Sequence, residues 1–148
     1  MNIVKSLIDY SKEWGENDVV FFTANQVVKR NGELVMGAGN ALAAKIAVKG
    51  SSYIFGQNLG NSRCMVMSLS NEKGKINLGA LATKQHFKDP SNIGFVTKSL
   101  RHLYVYAKSN PDKTIHLPYP AIGYGGLSRK ELDPILVFLP NNVLIYSN

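Results

Sequence analysis

Residues 118–130 read PYPAIGYGGLSRK, directly after the apolar run at 114–117. The stretch carries three glycines within four positions: Gly123, Gly125 and Gly126. Ser128 and Glu131 then have the spacing of a capping box, which marks the start of a helix. We therefore predict a strand, a glycine loop and a helix in succession. Such a loop either presents its backbone N–H groups to an anion, most often a phosphate, or makes a tight connecting turn.

A second glycine loop opens a helix earlier in the chain. Gly37 and Gly39 precede the alanine-rich run 41–48, which favours a helix, and Asn40 is a candidate N-cap. Two glycine loops that both open helices are a stronger indication than one. A ligand with two phosphates could lie between them.

Apolar runs elsewhere predict strands and helices in alternation. Residues 19–24 are β-branched and aromatic, which is typical of a strand buried on both faces of a parallel sheet. Apolar residues at spacings of three and four predict an amphipathic helix over 91–108. Further strands are predicted at 63–69, 76–82, 114–117 and 142–146. The alternation predicts an α/β fold, with helices on both faces of a largely parallel sheet.

The remaining segments are less regular. Residues 1–14 fit an amphipathic helix or, at 1–4, a short edge strand. A loop is predicted at 50–60 and a hairpin turn at 71–74. At Pro134 the last helix either restarts, with Asp133 as its N-cap, or is kinked.

Composition limits the classes of protein to consider. The 148 residues, 45% hydrophobic and 18% charged, predict one soluble domain over 1–148, with no membrane-spanning run. The net charge of +7 favours anionic ligands and, more weakly, nucleic acid. Cys64 is the only cysteine and lies in an apolar run, so we expect a buried, unreactive thiol and a cytoplasmic protein. The three histidines have no metal-ligand spacing, so we expect no metal.

Polar side chains follow two of the predicted strands. Ligands of α/β sheets bind at the carboxyl ends of strands, so Asn25 could bind a ligand, or it could cap a turn. Lys84 could bind an anion or take part in chemistry, or it could be an ordinary exposed lysine. His86 could be a general base or a solvated side chain.

Taken in order, four segments resemble a macrodomain: residues 18–25, GAGNA at 37–41, LATK at 81–84 and PAIGYGGLS at 120–128. The third segment is most similar to the branch that contains terminal ADP-ribose protein glycohydrolase and the DNA-ADP-ribose glycohydrolase antitoxins. The resemblance extends over 18–146. It implies a three-layer α/β/α sandwich with a mixed, largely parallel sheet.

The resemblance also implies a ligand and its contacts. ADP-ribose, free or on an ADP-ribosylated macromolecule, would be the partner of a monomeric chain that uses no cofactor. Lys84 matches the lysine that this branch uses at the C1″ carbon of the distal ribose, with Asn25 beside it as a second catalytic residue. The residues implied to bind ligand are Asp9, Asn25, Gly37, Ala38, Gly39, Asn40, Ala121, Ile122, Gly123, Tyr124, Gly125 and Gly126.

The chain departs from the family pattern in two places. Glycohydrolases of this branch carry an aspartate directly after the second glycine loop, whereas here no acid occurs before Glu131. The family also has an early aspartate that binds adenine. Asp9 is the only candidate before Asp18, and the match fails if residues 1–14 form a helix.

Three functions remain open from the sequence. The first is hydrolysis of an ADP-ribosyl linkage to an acidic residue, a nucleobase or a 1″-phosphate, which the presence of Lys84 favours. The second is a module that binds ADP-ribose or a related nucleotide without turnover, which the missing aspartate favours. The third, with least support, is nucleic-acid binding through the basic surface.

Overall fold

A computed structural model gives the architecture of the chain. It describes the backbone of residues 1–148 and every side chain except that of Tyr124. Six strands form one mixed sheet, and helices cover both of its faces. The predicted fold class, a three-layer α/β/α sandwich, is confirmed.

The sheet is parallel except at one edge. Its order is β1-β6-β5-β2-β4-β3, and only the β3–β4 pair is antiparallel, as the predicted hairpin turn requires. The carboxyl ends of the other five strands therefore lie along the same edge of the sheet. The strands are β1 (Asn2–Val4), β2 (Asp18–Ala24), β3 (Cys64–Asn71), β4 (Gly74–Ala82), β5 (Thr114–Pro118) and β6 (Val143–Tyr146).

Two separate hydrophobic clusters lie on the two faces of the sheet. The central strand β2 contributes to both, with Val20 and Phe22 in one cluster and Val19 and Phe21 in the other. Helices α1 and α2 cover the first cluster, and α3 and α4 cover the second. Because both faces of β2 are buried, residues 19–24 do not alternate between apolar and polar side chains. The helices are α1 (Gly39–Ala47), α2 (Ser51–Asn58), α3 (Ile93–Ser109) and α4 (Arg129–Leu136).

The loop predicted at 50–60 is wrong, because most of it forms α2. Gly50, with φ of 83°, lets the chain turn from the end of α1 directly into this helix. Phe55 is fully buried against the sheet. Gly56 lies so close to residues 32–34 that a Cβ would come within 1.9 Å of the Gly32 carbonyl oxygen. Packing therefore holds α2, although its sequence has no clear apolar stripe.

Of the two structures predicted for residues 1–14, the edge strand is correct and the helix is wrong. Asn2–Val4 pairs with β6, and no helix or strand follows before Asp18. Tyr10 and Trp14 are buried beneath the α1 side of the sheet, and the Tyr10 hydroxyl donates to the Phe21 carbonyl at 2.7 Å. Their helical spacing therefore reflects burial and not a helix. Both residues lie in the irregular segment 5–17 that connects β1 to β2, which we name the crossover segment.

The capping box at the start of α4 is confirmed. The Ser128 hydroxyl accepts from the Glu131 N–H, and the Glu131 carboxylate accepts from the Ser128 N–H. The helix runs without interruption from Arg129 through Pro134, so the predicted restart is wrong. Asp133 lies inside the helix and accepts a hydrogen bond from the Tyr119 hydroxyl.

Cys64 is half-buried at the start of β3 rather than fully buried as predicted. Burial nevertheless raises the pKa of its thiol to about 12, which keeps the thiol protonated and unreactive at neutral pH. None of the described helices is long and apolar enough to cross a membrane.

Candidate functional site

A cavity of about 370 Å³ lies at the carboxyl ends of β2, β4 and β5, which are adjacent strands of the sheet. It gathers residues that are distant in the sequence, because the ends of parallel strands meet at one edge of the sheet. The predicted site residues that line it are Asn25, Gly37, Ala38, Gly39, Asn40, Lys84, Ala121, Ile122 and Gly125.

The N-terminus of α1 opens into this cavity without a side-chain cap. The N-cap residue is Ala38, and no described side chain accepts from the N–H groups of the first turn. Asn40, predicted as the N-cap, instead lies inside the helix, and its Oδ1 accepts from the Thr23 N–H at 2.7 Å. Asn40 thus ties α1 to the end of β2. The free N–H groups and the helix dipole create a positive potential in the cavity.

The second glycine loop forms the opposite wall. Ala121 has a φ of 62°, which is rare for a residue with a side chain and marks local strain. The Leu127 N–H donates to the Ala121 carbonyl at 3.0 Å and closes the loop. Gly123 and Gly126 have φ of 69° and 77°, so glycine suits both positions. Neither of these two lines the cavity, and the side chain of Tyr124 lies outside the described residues.

Ser91 supports this loop from below. Its N–H donates to the Gly125 carbonyl at 2.8 Å, and its buried Oγ has no partner among the described residues. A Cβ on Gly125 would lie 2.8 Å from that Oγ and 3.3 Å from the Ala121 Cβ. A side chain at position 125 would therefore have to displace the Ser91 hydroxyl. The close approach also joins the glycine loop to the segment that follows Lys84.

Lys84 is the only charged residue among the described residues that line the cavity. It is half-buried, and none of the ion pairs between described residues includes it. Two backbone hydrogen bonds fasten its segment to the end of β2: Thr83 N–H to the Ala24 carbonyl and Gln26 N–H to the Gln85 carbonyl, both at 2.9 Å. These bonds keep Lys84 and Asn25 at neighbouring strand ends.

The Asn25 side chain lines the cavity, and its amide also makes hydrogen bonds to nearby backbone groups. Its Nδ2 donates to the Val35 carbonyl at 3.0 Å, and its Oδ1 accepts from the Val27 N–H at 2.9 Å. One N–H and one lone pair remain for a ligand. This geometry suits a residue that orients a ligand, and the catalytic role of Asn25 stays a prediction.

His86 does not line the cavity, but its neighbour Phe87 does. The His86 Nδ1 accepts from the Lys88 N–H at 3.1 Å. The His86 ring is stacked on Phe87, with centroids 4.5 Å apart and planes inclined by 25°. The imidazole therefore supports an aromatic wall of the cavity and is not directed towards its interior as a base.

Sequence reasoning missed six lining residues: Thr23, Ala24, Val35, Ala41, Thr83 and Phe87. Ala24 and Thr83 directly precede Asn25 and Lys84, and Thr23 lies one residue before Ala24, so the strand ends themselves could have indicated them. Phe87 is an aromatic residue within a polar segment, and that contrast is its signal in the sequence.

Asp9 lies away from the other predicted site residues. It lines a different cavity of about 550 Å³, between the crossover segment, α1 and the end of β3. Its Oδ1 accepts from the Ser11 hydroxyl at 2.6 Å and from the Ser11 N–H at 2.9 Å, and these bonds lower the pKa of the carboxyl. No carboxylate is among the described residues that line the strand-end cavity.

No three histidine, cysteine, aspartate or glutamate residues cluster closely enough to hold a metal ion within the described part of the chain. The described lining of the strand-end cavity offers a ligand the Lys84 side chain, amide and hydroxyl groups, and backbone N–H donors.

The fold is similar to several solved structures. The macrodomain of Mycobacterium tuberculosis DarG has a TM-score of 0.74 at 20% identity, over 99% of this chain and 97% of that chain. The macrodomain of Thermus aquaticus DarG has a TM-score of 0.67 at 21% identity, over the same shares. Thermosipho africanus DarTG, solved in complex with ADP-ribose, has a TM-score of 0.68 at 21% identity, over 88% of this chain and 38% of that longer chain.

No family model and no curated protein sequence matches the chain. At 20–21% identity, the likeness to these structures concerns the fold. It agrees with the resemblance found in the order of the sequence motifs. The chain therefore has a macrodomain fold.

Proposed function

We propose that this chain binds ADP-ribose in the cavity at the carboxyl ends of β2, β4 and β5. One observation carries the proposal: the uncapped N-terminus of α1 and the second glycine loop line the same cavity. A diphosphate suits such a set of donors and positive potential. The ADP-ribose complex of a protein with the same fold adds support.

The ligand would lie across the cavity in a defined direction. The diphosphate would accept hydrogen bonds from the first turn of α1 and from the loop at Ala121–Gly125. The distal ribose would then reach Asn25 and Lys84, whose segments are fastened together at the ends of β2 and β4.

We further propose that the chain hydrolyses an ADP-ribosyl linkage to an acidic residue, a nucleobase or a 1″-phosphate, with Lys84 as nucleophile. The Nζ would attack C1″ through its lone pair, a C–N bond would form, and the leaving group would depart with the electron pair of the broken bond. Water then attacks C1″ and displaces the amine, which releases ADP-ribose. A proton must reach the leaving group and another must leave the water. Solvent and the leaving group would carry these protons, because no described carboxylate lines the cavity.

The absence of a carboxylate among the described lining residues favours a second function, capture of ADP-ribose without turnover. The two functions share the binding step and differ only in whether Lys84 performs chemistry. Measurement of product release from an ADP-ribosylated substrate distinguishes them.

A charge placed at Gly37 tests the binding site directly. Gly37 lines the cavity, and a Cβ at this position meets no heavy atom within 4 Å, so the position has room for a side chain. We expect Gly37→Glu to weaken ADP-ribose binding by at least about tenfold relative to Gly37→Gln, because a carboxylate repels the diphosphate. Calorimetry measures both affinities. Equal affinities would place the diphosphate elsewhere.

A further inference from the structure

We infer that Phe87 selects the distal ribose of the ligand, by packing its aromatic ring against the C–H face of that sugar. His86 acts through Phe87, because its imidazole holds the ring in place. This inference rests on the proposed function, and it names a side chain that distinguishes ADP-ribose from ADP in the same cavity.

Phe87 is placed beside the two residues that would meet the distal ribose. It lines the strand-end cavity together with Lys84, which precedes it by three residues, and with Asn25 at the neighbouring strand end. Backbone hydrogen bonds at Thr83 and Gln85 fasten its segment to the end of β2. A ligand group at Lys84 therefore lies beside the segment that carries Phe87.

The Phe87 ring is held from one side. The His86 ring stacks on it, with centroids 4.5 Å apart and planes inclined by 25°. His86 is itself fixed by a turn, in which its carbonyl accepts from the Asp89 N–H at 3.2 Å and its Nδ1 accepts from the Lys88 N–H at 3.1 Å. Because His86 covers one face of Phe87, the exposed part of the ring is its other face and its edge. A ring fixed in this way loses little freedom when a ligand packs against it.

The exposed part of Phe87 is apolar surface within a cavity. The residue is 40% exposed, and it is the only aromatic residue among the described residues that line the cavity. The Lys88 Nζ lies 5.8 Å from the centre of the ring, near the outer limit of a cation–π contact, so this contact is weak.

Removal of this apolar surface from water favours a ligand group that itself has an apolar face. A ribose has such a face in its C–H groups. A phosphate, in contrast, would lose hydration against the ring without gaining a hydrogen bond. The Phe87 ring therefore suits the distal ribose and not the diphosphate.

Calorimetric titration of Phe87→Ala with ADP-ribose and with ADP tests this inference. We expect the variant to bind ADP-ribose at least about fivefold more weakly than the wild type, because the apolar contact to the sugar is lost. ADP has no distal ribose to cover this surface, so its affinity should change by less than about twofold. An equal loss for both ligands, or no loss for ADP-ribose, would overturn the inference and leave the proposed function standing. Failure of the wild type to bind ADP-ribose would overturn both.

Two further variants serve as matched controls. Phe138 is 77% exposed and lines a separate groove between α3 and α4, so Phe138→Ala removes the same side chain away from the site. We expect it to leave both affinities within about twofold of those of the wild type. Phe87→Tyr retains the ring and should keep the preference for ADP-ribose over ADP within about twofold. If Phe87→Tyr lost this preference as strongly as Phe87→Ala, the ring would not be the selecting group, and the inference would be overturned.

The role of His86 is tested by the same titrations in a double-mutant cycle. His86→Ala removes the stacked ring, so it should weaken ADP-ribose binding by about two- to threefold in the wild type and not at all in Phe87→Ala. An effect of equal size in both backgrounds would show that His86 does not act through Phe87 and would overturn the role assigned to the stack.

Discussion

At the scale of single residues, Lys84 has unusual surroundings for a lysine. It is half-buried among neutral residues and forms no ion pair with a described residue. Its neighbour Lys88 lies outside the cavity lining, with its Nζ 5.8 Å from the centre of the Phe87 ring. The two lysines are therefore a natural pair for comparing a residue inside the site with one beside it.

We expect Lys84→Ala to lower hydrolysis of an ADP-ribosylated substrate by at least about 100-fold, because the nucleophile is removed. ADP-ribose affinity should fall by less than about tenfold, since the diphosphate contacts remain. Single-turnover assays and calorimetry measure the two effects, with Lys88→Ala as the control. Undiminished turnover in Lys84→Ala would exclude Lys84 as the nucleophile.

Ser91 is a second residue whose environment leads to a prediction. A buried hydroxyl without a partner destabilises the folded state, so Ser91→Ala should raise the free energy of unfolding by about 1 kcal/mol. It should also partly rescue Gly125→Ala, whose new Cβ would otherwise lie 2.8 Å from the Ser91 Oγ. Chemical denaturation of both single variants and the double variant tests this. Additive effects in the double variant would show that the two residues do not interact.

At the scale of secondary-structure elements, the correctly predicted strands and helices are those whose sequence pattern follows directly from burial. The strands β2 to β6, the amphipathic α3 and the capping box of α4 all have such patterns. Helix α2 was missed because long-range contacts hold it, with Phe55 packed against Phe22 of the central strand. The crossover segment was ambiguous because Tyr10 and Trp14 have helical spacing but are buried in irregular backbone. Local sequence patterns do not report such tertiary contacts, so neither segment could be predicted from them.

Glu33 joins the segment before α1 to helix α2. Its carboxylate accepts from the Ser52 hydroxyl at 2.7 Å and from the Asn31 side chain at 2.8 Å, and Lys45 lies at 3.5 Å. The hydrogen bond from Ser52, followed by that from Asn31, lowers the pKa of Glu33 to about 2.

We therefore expect Glu33 to make stability depend on pH. Because the folded state favours the carboxylate, this stabilisation is present above the unfolded pKa of about 4.3 and is lost as the pH falls towards 2. Denaturation should show a steeper loss of stability between pH 5 and 2 in the wild type than in Glu33→Gln. Parallel curves for the two proteins would contradict this assignment.

At the scale of the whole molecule, the topology of the sheet creates the candidate site. Residues near positions 25, 40, 84 and 121 converge because β2, β4 and β5 are adjacent and parallel. This convergence was predictable from the strand-end rule, and so were most of the lining residues. Two features were not predictable, because both depend on how irregular segments pack: the contact between Ser91 and Gly125, and the position of Asp9 outside the strand-end cavity. The cavity that contains Asp9 is larger, but its lining carries both acidic and basic side chains.

The central claim, that the strand-end cavity binds ADP-ribose through its diphosphate and distal ribose, is tested most directly by comparing ADP-ribose with ADP in calorimetric titrations. ADP lacks the distal ribose that would reach Asn25 and Lys84. We predict that ADP-ribose binds at least about tenfold more tightly than ADP, a difference of about 1.4 kcal/mol. Equal affinities, or no binding of ADP-ribose at millimolar concentration, would contradict the claim.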